Sequence, residues 1–140
     1  MKNFNDCLKL GKIKKFSRGK ALASKEVRLA EEDLKTATNS FNDKNFRWCL
    51  IQLYYSMFHS ARALLYFKNY REHSHYCLIE AVKELYVKPG KIEVFFLEAL
   101  IEAKNLREAA DYYGDYRSSN ARKLLDKAAL FIKIVKIIIG

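Results

Sequence analysis

Glycine and proline are scarce in this chain, and several catalytic signatures are missing. Only five glycines and one proline occur in 140 residues, which leaves little material for tight turns. A β-sandwich or β-barrel needs many such turns, so the composition favours helices. The chain also has no Gly-rich phosphate loop and no GxSxG, CxxC or HExxH motif. These absences argue against P-loop enzymes, α/β-hydrolases and HExxH metalloproteases.

Cysteine and histidine are too few for a metal site or a disulfide framework. The three cysteines, Cys7, Cys49 and Cys77, are odd in number and lack metal-ligand spacing. Cys49 lies in an apolar segment and is expected to pack as a small hydrophobic residue. His73 and His75 flank Ser74, but no third ligand follows at a suitable spacing. The sequence therefore predicts no disulfide, no metal and no cofactor.

Positive charge is abundant and unevenly distributed. The net charge is +10, and residues 1–28 hold nine basic residues against Asp6 and Glu26, a net charge of +7. We therefore divide the chain into a basic N-terminal arm, residues 1–21, and a single domain, residues 22–140. The arm fits contact with a phosphate backbone or serves as a solvated, solubilising segment. Lysines interrupt the first apolar residues, so we expect no signal peptide. Gln52, His59 and Arg62 in the apolar segment 46–68 argue against a membrane span, so we expect a cytoplasmic protein.

The apolar residues recur with a helical period. The segment 46–68 is apolar on nearly every side, so other helices must surround it. Ser24 is the predicted N-cap of the preceding helix, with Glu26 in its first turn. Further helices are predicted within residues 4–15, 75–86 and 92–113, and from Ser118 or Ser119 onwards. Since short connections force antiparallel neighbours, the predicted fold is all-α, an up-and-down antiparallel bundle of four to five helices.

Polar side chains form a seam on the apolar central helix. Tyr55, His59, Arg62 and Tyr66 follow one another at steps of four, three and four residues, and so share one stripe. Buried polar groups need partners, so the seam is either a functional site or a set of hydrogen bonds within the core. His75 is predicted in the first turn of a helix, where anions collect, or is a surface histidine beside a cap.

The segment LREAADYYGDYR is the other candidate. Arg107 and Asp111 are four residues apart and can pair along a helix, while Arg107 can also point towards another helix. Tyr112 and two further tyrosines follow. Arginines interleaved with aromatic residues suit stacking on bases and contact with phosphates. The alternative is a surface ion pair with tyrosines that cover the core.

Two stretches together resemble the HEPN-domain proteins, in particular their small stand-alone members in archaea and bacteria. They are YYSMFHSARALLYFKNYREHSH and LREAADY, and the resemblance covers roughly residues 22–135. It implies a helical bundle that commonly dimerises. It also implies either partnership with a minimal nucleotidyltransferase or metal-independent ribonuclease activity in toxin–antitoxin systems.

The resemblance also implies a motif that this chain lacks. Active HEPN ribonucleases have four to six residues between an arginine and the following histidine, and they place this pair at a dimer cleft. That arginine would be Arg107, but the corresponding positions hold Tyr112, Tyr113 and Gly114. A tyrosine, with an unperturbed pKa of about 10, is a poor general base at neutral pH.

We therefore expect a non-catalytic homodimer that binds nucleotide or RNA beside a nucleotidyltransferase. The predicted ligand contacts are Tyr55, His59, Arg62, His75, Arg107, Asp111 and Tyr112. The alternative is an endoribonuclease toxin in which Arg107 stabilises charge while His59 or His75 moves protons.

Overall fold

The computed structural model describes residues 2–140, which form an all-α bundle, as the sequence predicts. Its helices are α1 (Phe4–Lys9), α2 (Gly19–Asn42), α3 (Phe46–Phe67), α4 (His75–Val82), α5 (Val94–Tyr112) and α6 (Ser118–Ile139). Two three-residue strands, β1 (Ile13–Lys15) and β2 (Tyr70–Glu72), pair antiparallel. Among residues 2–140, no helix combines the length and the apolar character needed to cross a membrane.

The central helix α3 organises the core. It packs against α2, α4, α5 and α6, so nearly all of its sides are covered. Leu50, Leu53, Met57 and Leu64 on α3 are inaccessible to solvent. This burial explains the nearly continuous run of apolar residues, because a helix enclosed on every side has no solvent-facing stripe.

The second helix begins earlier than predicted. It starts at Gly19, so Ser24 is an exposed residue within the helix rather than its N-cap. Glu26 consequently lies two turns into α2, not in its first turn. A Cβ atom at Gly19 would lie 2.5 Å from the backbone oxygen of Tyr66, so α2 and α3 touch backbone to backbone there. The helix starts where this close approach requires glycine.

The N-terminal segment packs onto the bundle through a disulfide that the sequence did not predict. Within residues 2–21, α1 and β1 place Cys7 and Ile13 in the core. Cys7 is bonded to Cys77 on α4, and Cys49 is the free, buried cysteine. The prediction of no disulfide was wrong because it relied on cysteine number and spacing. A single bond across 70 residues leaves no local spacing pattern.

The later helices follow the predicted ranges closely. Ser74 caps α4 by accepting a hydrogen bond from the Cys77 amide, and one π-helical turn (Lys83–Val87) extends α4. In α5 the side chain of Phe96 is buried in the core, whereas that of Phe95 is exposed. These helices hold Arg107 and His75 against α3.

Candidate anion-binding site

The candidate site lies where the C-terminal half of α5 packs against α3. The helix α5 carries Arg107 and Asp111 one turn apart, and α3 carries Tyr54 and Tyr55 opposite them. Helical spacing places Arg107 beside Asp111 on α5, whereas the packing of α5 against α3 brings the two tyrosines close to them.

The Arg107 guanidinium lies among tyrosine rings. Its carbon is 5.7 Å from the ring centres of Tyr54 and Tyr55 and 5.6 Å from that of Tyr112. One terminal nitrogen donates a hydrogen bond to the Tyr55 hydroxyl at 3.4 Å. The rings attract the cation through their faces and shield it, so only 19% of the Arg107 side chain is exposed.

One donor of Arg107 has no acceptor. Its Nε is buried and makes no hydrogen bond with the residues that the structure describes. A buried donor left unpaired is unfavourable by about 1–3 kcal/mol, and by more when the group is charged. An anionic oxygen would satisfy this donor once the rings that cover it move aside, which makes Arg107 the candidate anion-binding residue.

Asp111 does not neutralise the site because two arginines share it. Arg47 on α3 is 3.0 Å from one carboxylate oxygen, and Arg107 is 3.6 Å from the other. Arg47 also donates a hydrogen bond to the carbonyl of Ala110. Two guanidinium groups on one carboxylate leave a net charge of +1.

Sequence reasoning missed Arg47 as a member of the site. It lies seven residues before Tyr54, two helical turns away on the same face of α3. That spacing was the available signal, but the partner, Asp111, is 64 residues away.

His75 completes the aromatic wall from the start of α4. Its Nδ1 is 2.5 Å from the Tyr54 hydroxyl, and its ring is 4.6 Å from that of Phe58. Burial, then the nearby Arg107 charge, lowers the pKa of His75 against the opposing effect of Glu72. Burial also raises the pKa of Tyr54. Both shifts favour the uncharged form of the side chain, so the hydrogen bond joins a neutral imidazole to a neutral phenol.

His59 and Arg62 belong to a different cluster. The His59 Nδ1 is 2.6 Å from Glu26 on α2, and its Nε2 is 3.7 Å from Asp33. Arg62 forms a two-pronged contact with Glu72, at 3.1 and 2.7 Å. Carboxylates from other elements thus engage both side chains, and none of the three could be assigned from sequence spacing.

The structure therefore divides the predicted ligand contacts into two groups. Phe58 separates them, with the Arg62 guanidinium 4.5 Å from its ring centre and His75 against the same ring. Five of the predicted contacts gather around the unpaired donor, namely Tyr55, His75, Arg107, Asp111 and Tyr112. Among residues 2–140, no three metal-ligating side chains come together.

Comparisons with known proteins place the chain in a family. The sequence model of the HEPN domain matches residues 23–138, so the chain belongs to the HEPN domain family. This confirms the resemblance seen in the sequence.

Two curated relatives come from the archaeon Methanocaldococcus jannaschii, and each carries the name "Putative toxin". The protein MJ0605 is 32% identical over 126 residues, covering 84% of this chain and 94% of its own length. The protein MJ0142 is 28% identical over 114 residues, covering 80% and 78% respectively.

Proposed function

We propose that this HEPN protein binds RNA or a nucleotide as the toxin-type component of a toxin–antitoxin pair. The observation that carries this proposal is the buried, unpaired Nε of Arg107 in a site of net positive charge. A phosphate oxygen is a suitable acceptor, because arginine binds phosphate through charge-assisted hydrogen bonds. Tyr112, which is exposed, offers a ring face on which a base can stack. The names of the two relatives support the toxin assignment.

The proposed assembly is a homodimer that works with a nucleotidyltransferase and is not itself catalytic. The family resemblance supports the homodimer and the nucleotidyltransferase partner. The absence of a histidine at residues 112–114 supports the lack of catalysis. Co-purification of the natural protein with a nucleotidyltransferase, and with nucleotide or RNA, is the expected outcome of a pull-down. Recovery of neither would contradict this assignment.

Binding of a short RNA to two arginine variants tests the site. Arg107→Ala should weaken binding about 10- to 100-fold, the effect of losing one charge-assisted contact. Arg122→Ala is the matched control, because Arg122 also lies over an aromatic ring and 3.8 Å from an aspartate one turn away. It lies on α6 and makes no contact with Arg107, so the change should alter binding less than twofold. Equal losses in the two variants would exclude Arg107 as the specific contact.

A metal-independent endoribonuclease is the second candidate, favoured by the hydrogen bond between Tyr54 and His75. In such a reaction a ribose 2′-hydroxyl attacks the adjacent phosphorus and the bond to the 5′ oxygen breaks. The products are a 2′,3′-cyclic phosphate and a 5′-hydroxyl. The Tyr54–His75 pair would take up the proton from the 2′-hydroxyl and return it to the 5′ oxygen. Arg107 would stabilise the charge on the phosphorane.

Cleavage of single-stranded RNA in the presence of EDTA distinguishes the two candidates. A ribonuclease should lose activity in His75→Gln and in Arg107→Ala but retain it in His73→Gln, whose side chain is exposed. Absence of cleavage at micromolar enzyme, or full activity in His75→Gln, would exclude this mechanism.

A further inference from the structure

A second cationic surface lies at the other end of α3. We name it the basic corner and define it by Lys14, Lys15, Lys20, Lys68, Arg71 and Lys91. It forms where β1 and β2 meet the start of α2 and the end of α3. The Lys20 amide donates to the Asn69 side chain and the Phe16 amide donates to the Asn69 carbonyl, so one residue ties these segments together.

The basic corner has no acidic partner. None of its six cations lies within 4.0 Å of a carboxylate in the described part of the chain, whereas nine other lysines and arginines there do. The segments 7–25, 66–71 and 85–92, which supply the six cations, contain no aspartate or glutamate. The positive charge is therefore uncompensated within the fold.

Like charges in the basic corner face one another. Lys14 and Arg71 are direct partners across the two strands, an arrangement that is destabilising for like charges. Contact with the Lys91 ammonium, followed by burial and the charge of Lys20, lowers the pKa of Lys68. Repulsion of this kind in the free protein would be relieved by a bound polyanion.

Aromatic rings hold several of these cations where carboxylates would otherwise do so. The Lys20 nitrogen is 5.2 Å from the Phe67 ring centre, and the Arg71 guanidinium is 5.5 Å from that of Phe16. A ring face orients a cation without neutralising it, so the charge stays available. Beside them lies an open pocket of about 350 Å³, whose lining includes Lys15, Ser17, Lys68 and Tyr70.

We propose that the basic corner binds the phosphodiester backbone of the same RNA that Arg107 contacts. Five of its six cations are lysines, which bind phosphates as point charges, and hydroxyl groups of the pocket suit phosphate oxygens. An acidic protein segment is the less favoured ligand, because paired recognition of carboxylates typically uses the planar fork of arginine. This inference rests on the proposed function, since it extends one RNA ligand over two surfaces.

The separation of the two surfaces sets a minimum RNA length. Tyr55 and Lys68 are 13 residues apart along α3 and its C-cap, which corresponds to about 20 Å at 1.5 Å per residue. At the duplex rise of about 3.4 Å per nucleotide, which a stacked single strand keeps, this distance spans roughly six nucleotides. A tetranucleotide can occupy the Arg107 site alone, whereas a dodecanucleotide can reach both surfaces.

The test compares two variants of equal net charge. The corner variant carries Lys14→Gln, Lys15→Gln, Lys68→Gln and Lys91→Gln. The control variant carries Lys35→Gln, Lys44→Gln, Lys123→Gln and Lys133→Gln, four lysines that lie elsewhere and form no ion pair among the described residues. All eight side chains are exposed, so neither variant should lose stability. The corner variant, which no longer has the repulsion between Lys14 and Arg71, should melt at or slightly above the wild-type temperature.

Fluorescence anisotropy with labelled 4- and 12-nucleotide single-stranded RNA, over a series of salt concentrations, gives the readout. The corner variant should bind the 12-mer at least about 10-fold more weakly at low salt. Its slope of log affinity against log salt should fall by about 3, at about 0.7 per lost phosphate contact. Its affinity for the 4-mer should change less than twofold, which also shows that the Arg107 site is intact.

Several results would overturn the inference. One is equal loss of 12-mer affinity in the corner and control variants, which would show an effect of net charge alone. Another is a corner variant whose slope of log affinity against log salt equals that of the wild type. This includes the case in which the corner variant no longer co-purifies with an acidic protein, which would identify that protein as the ligand. The Arg107→Ala variant separates this inference from the proposed function. If it binds both RNAs like the wild type, the function proposed for Arg107 fails, while a lower slope in the corner variant still supports the corner as an RNA contact.

Discussion

Glu72 is the carboxylate that compensates the positive charge of Arg62. The Glu72 side chain is only 3% exposed and accepts hydrogen bonds from two nitrogens of the Arg62 guanidinium. The nearest Glu26 oxygen lies 4.0 Å from the third guanidinium nitrogen. Removing one partner of a buried pair leaves the other charge uncompensated. We predict that Glu72→Gln lowers the free energy of unfolding by about 2–3 kcal/mol, measured by urea denaturation.

The control for this prediction is an exposed ion pair. Glu84→Gln removes the partner of Lys88 on the surface, where solvent screens the pair and its loss should change the free energy of unfolding little. Similar losses for Glu72→Gln and Glu84→Gln would show that Glu72 is not essential to the buried cluster.

His75 should make the stability of the protein depend on pH. Because burial lowers its pKa below the ordinary value, the unfolded chain binds a proton more readily than the folded chain. Stability from this group is therefore fully present above about pH 6.5 and is lost as the pH falls through the folded pKa. We predict a smaller drop in melting temperature between pH 7.5 and pH 5.0 in His75→Gln than in the wild type.

His73 provides the comparison for that measurement, because it is the neighbouring histidine and its side chain is exposed. His73→Gln should show the wild-type pH dependence. A drop in His75→Gln as large as that of the wild type would contradict the assignment.

Only part of the candidate site could be derived from the sequence. The pairing of Arg107 with Asp111 follows from helical spacing, and so does the shared stripe of Tyr55, His59 and Arg62. The further partition into two clusters depends on Glu26 and Glu72, which reach α3 from other elements. Such contacts arise from packing and leave no local pattern.

The disulfide fastens α1 to the beginning of α4, next to His75. Closing a loop across 70 residues reduces the freedom of the unfolded chain, which corresponds to about 4 kcal/mol. We predict that reduction with a phosphine lowers the urea midpoint of the wild type. The double variant Cys7→Ser with Cys77→Ser should have a midpoint that does not respond to the reductant, and a wild-type midpoint that is equally unresponsive would contradict the bond.

The free cysteine, Cys49, should not take part in this experiment. It is inaccessible in α3, and burial raises the pKa of its thiol to about 11. Since the thiolate is the reactive form, Cys49 should resist alkylation in the folded protein.

The long helices were predictable because their apolar residues recur with a clear period. The range 92–113 differs from the observed α5 by one or two residues at each end. By contrast, the strands β1 and β2 are three residues long and are fixed by pairing across the chain. The start of α2 is likewise set by contact between Gly19 and Tyr66, 47 residues later, so local signals placed it too far along.

Exposed aromatic residues lie beside the Arg107 site. Tyr113 is 82% exposed and Tyr112 65%, and Trp48 lies beside Arg47. Large tyrosine and tryptophan surfaces are typical of protein interfaces. We expect the proposed homodimer to form through this patch.

Light scattering after size exclusion tests the dimer. Trp48→Ser combined with Tyr113→Ser should convert it to a monomer, whereas Ile137→Ser, which alters a distant exposed residue near the C-terminus, should leave it dimeric. A dimer that survives the first variant and dissociates in the second would move the interface to α6.

The direct backbone contact between Gly19 and Tyr66 has a consequence for the whole molecule. The contact fixes the backbone of Lys20, just after Gly19, relative to the backbone of Lys68, the C-cap of α3. Neither backbone can shift without the other. RNA bound there as proposed would therefore meet two backbones that are already fixed, and binding would cost little further ordering of the protein. A single methyl group at position 19 would force α2 and α3 apart and change the positions of these two lysines relative to one another.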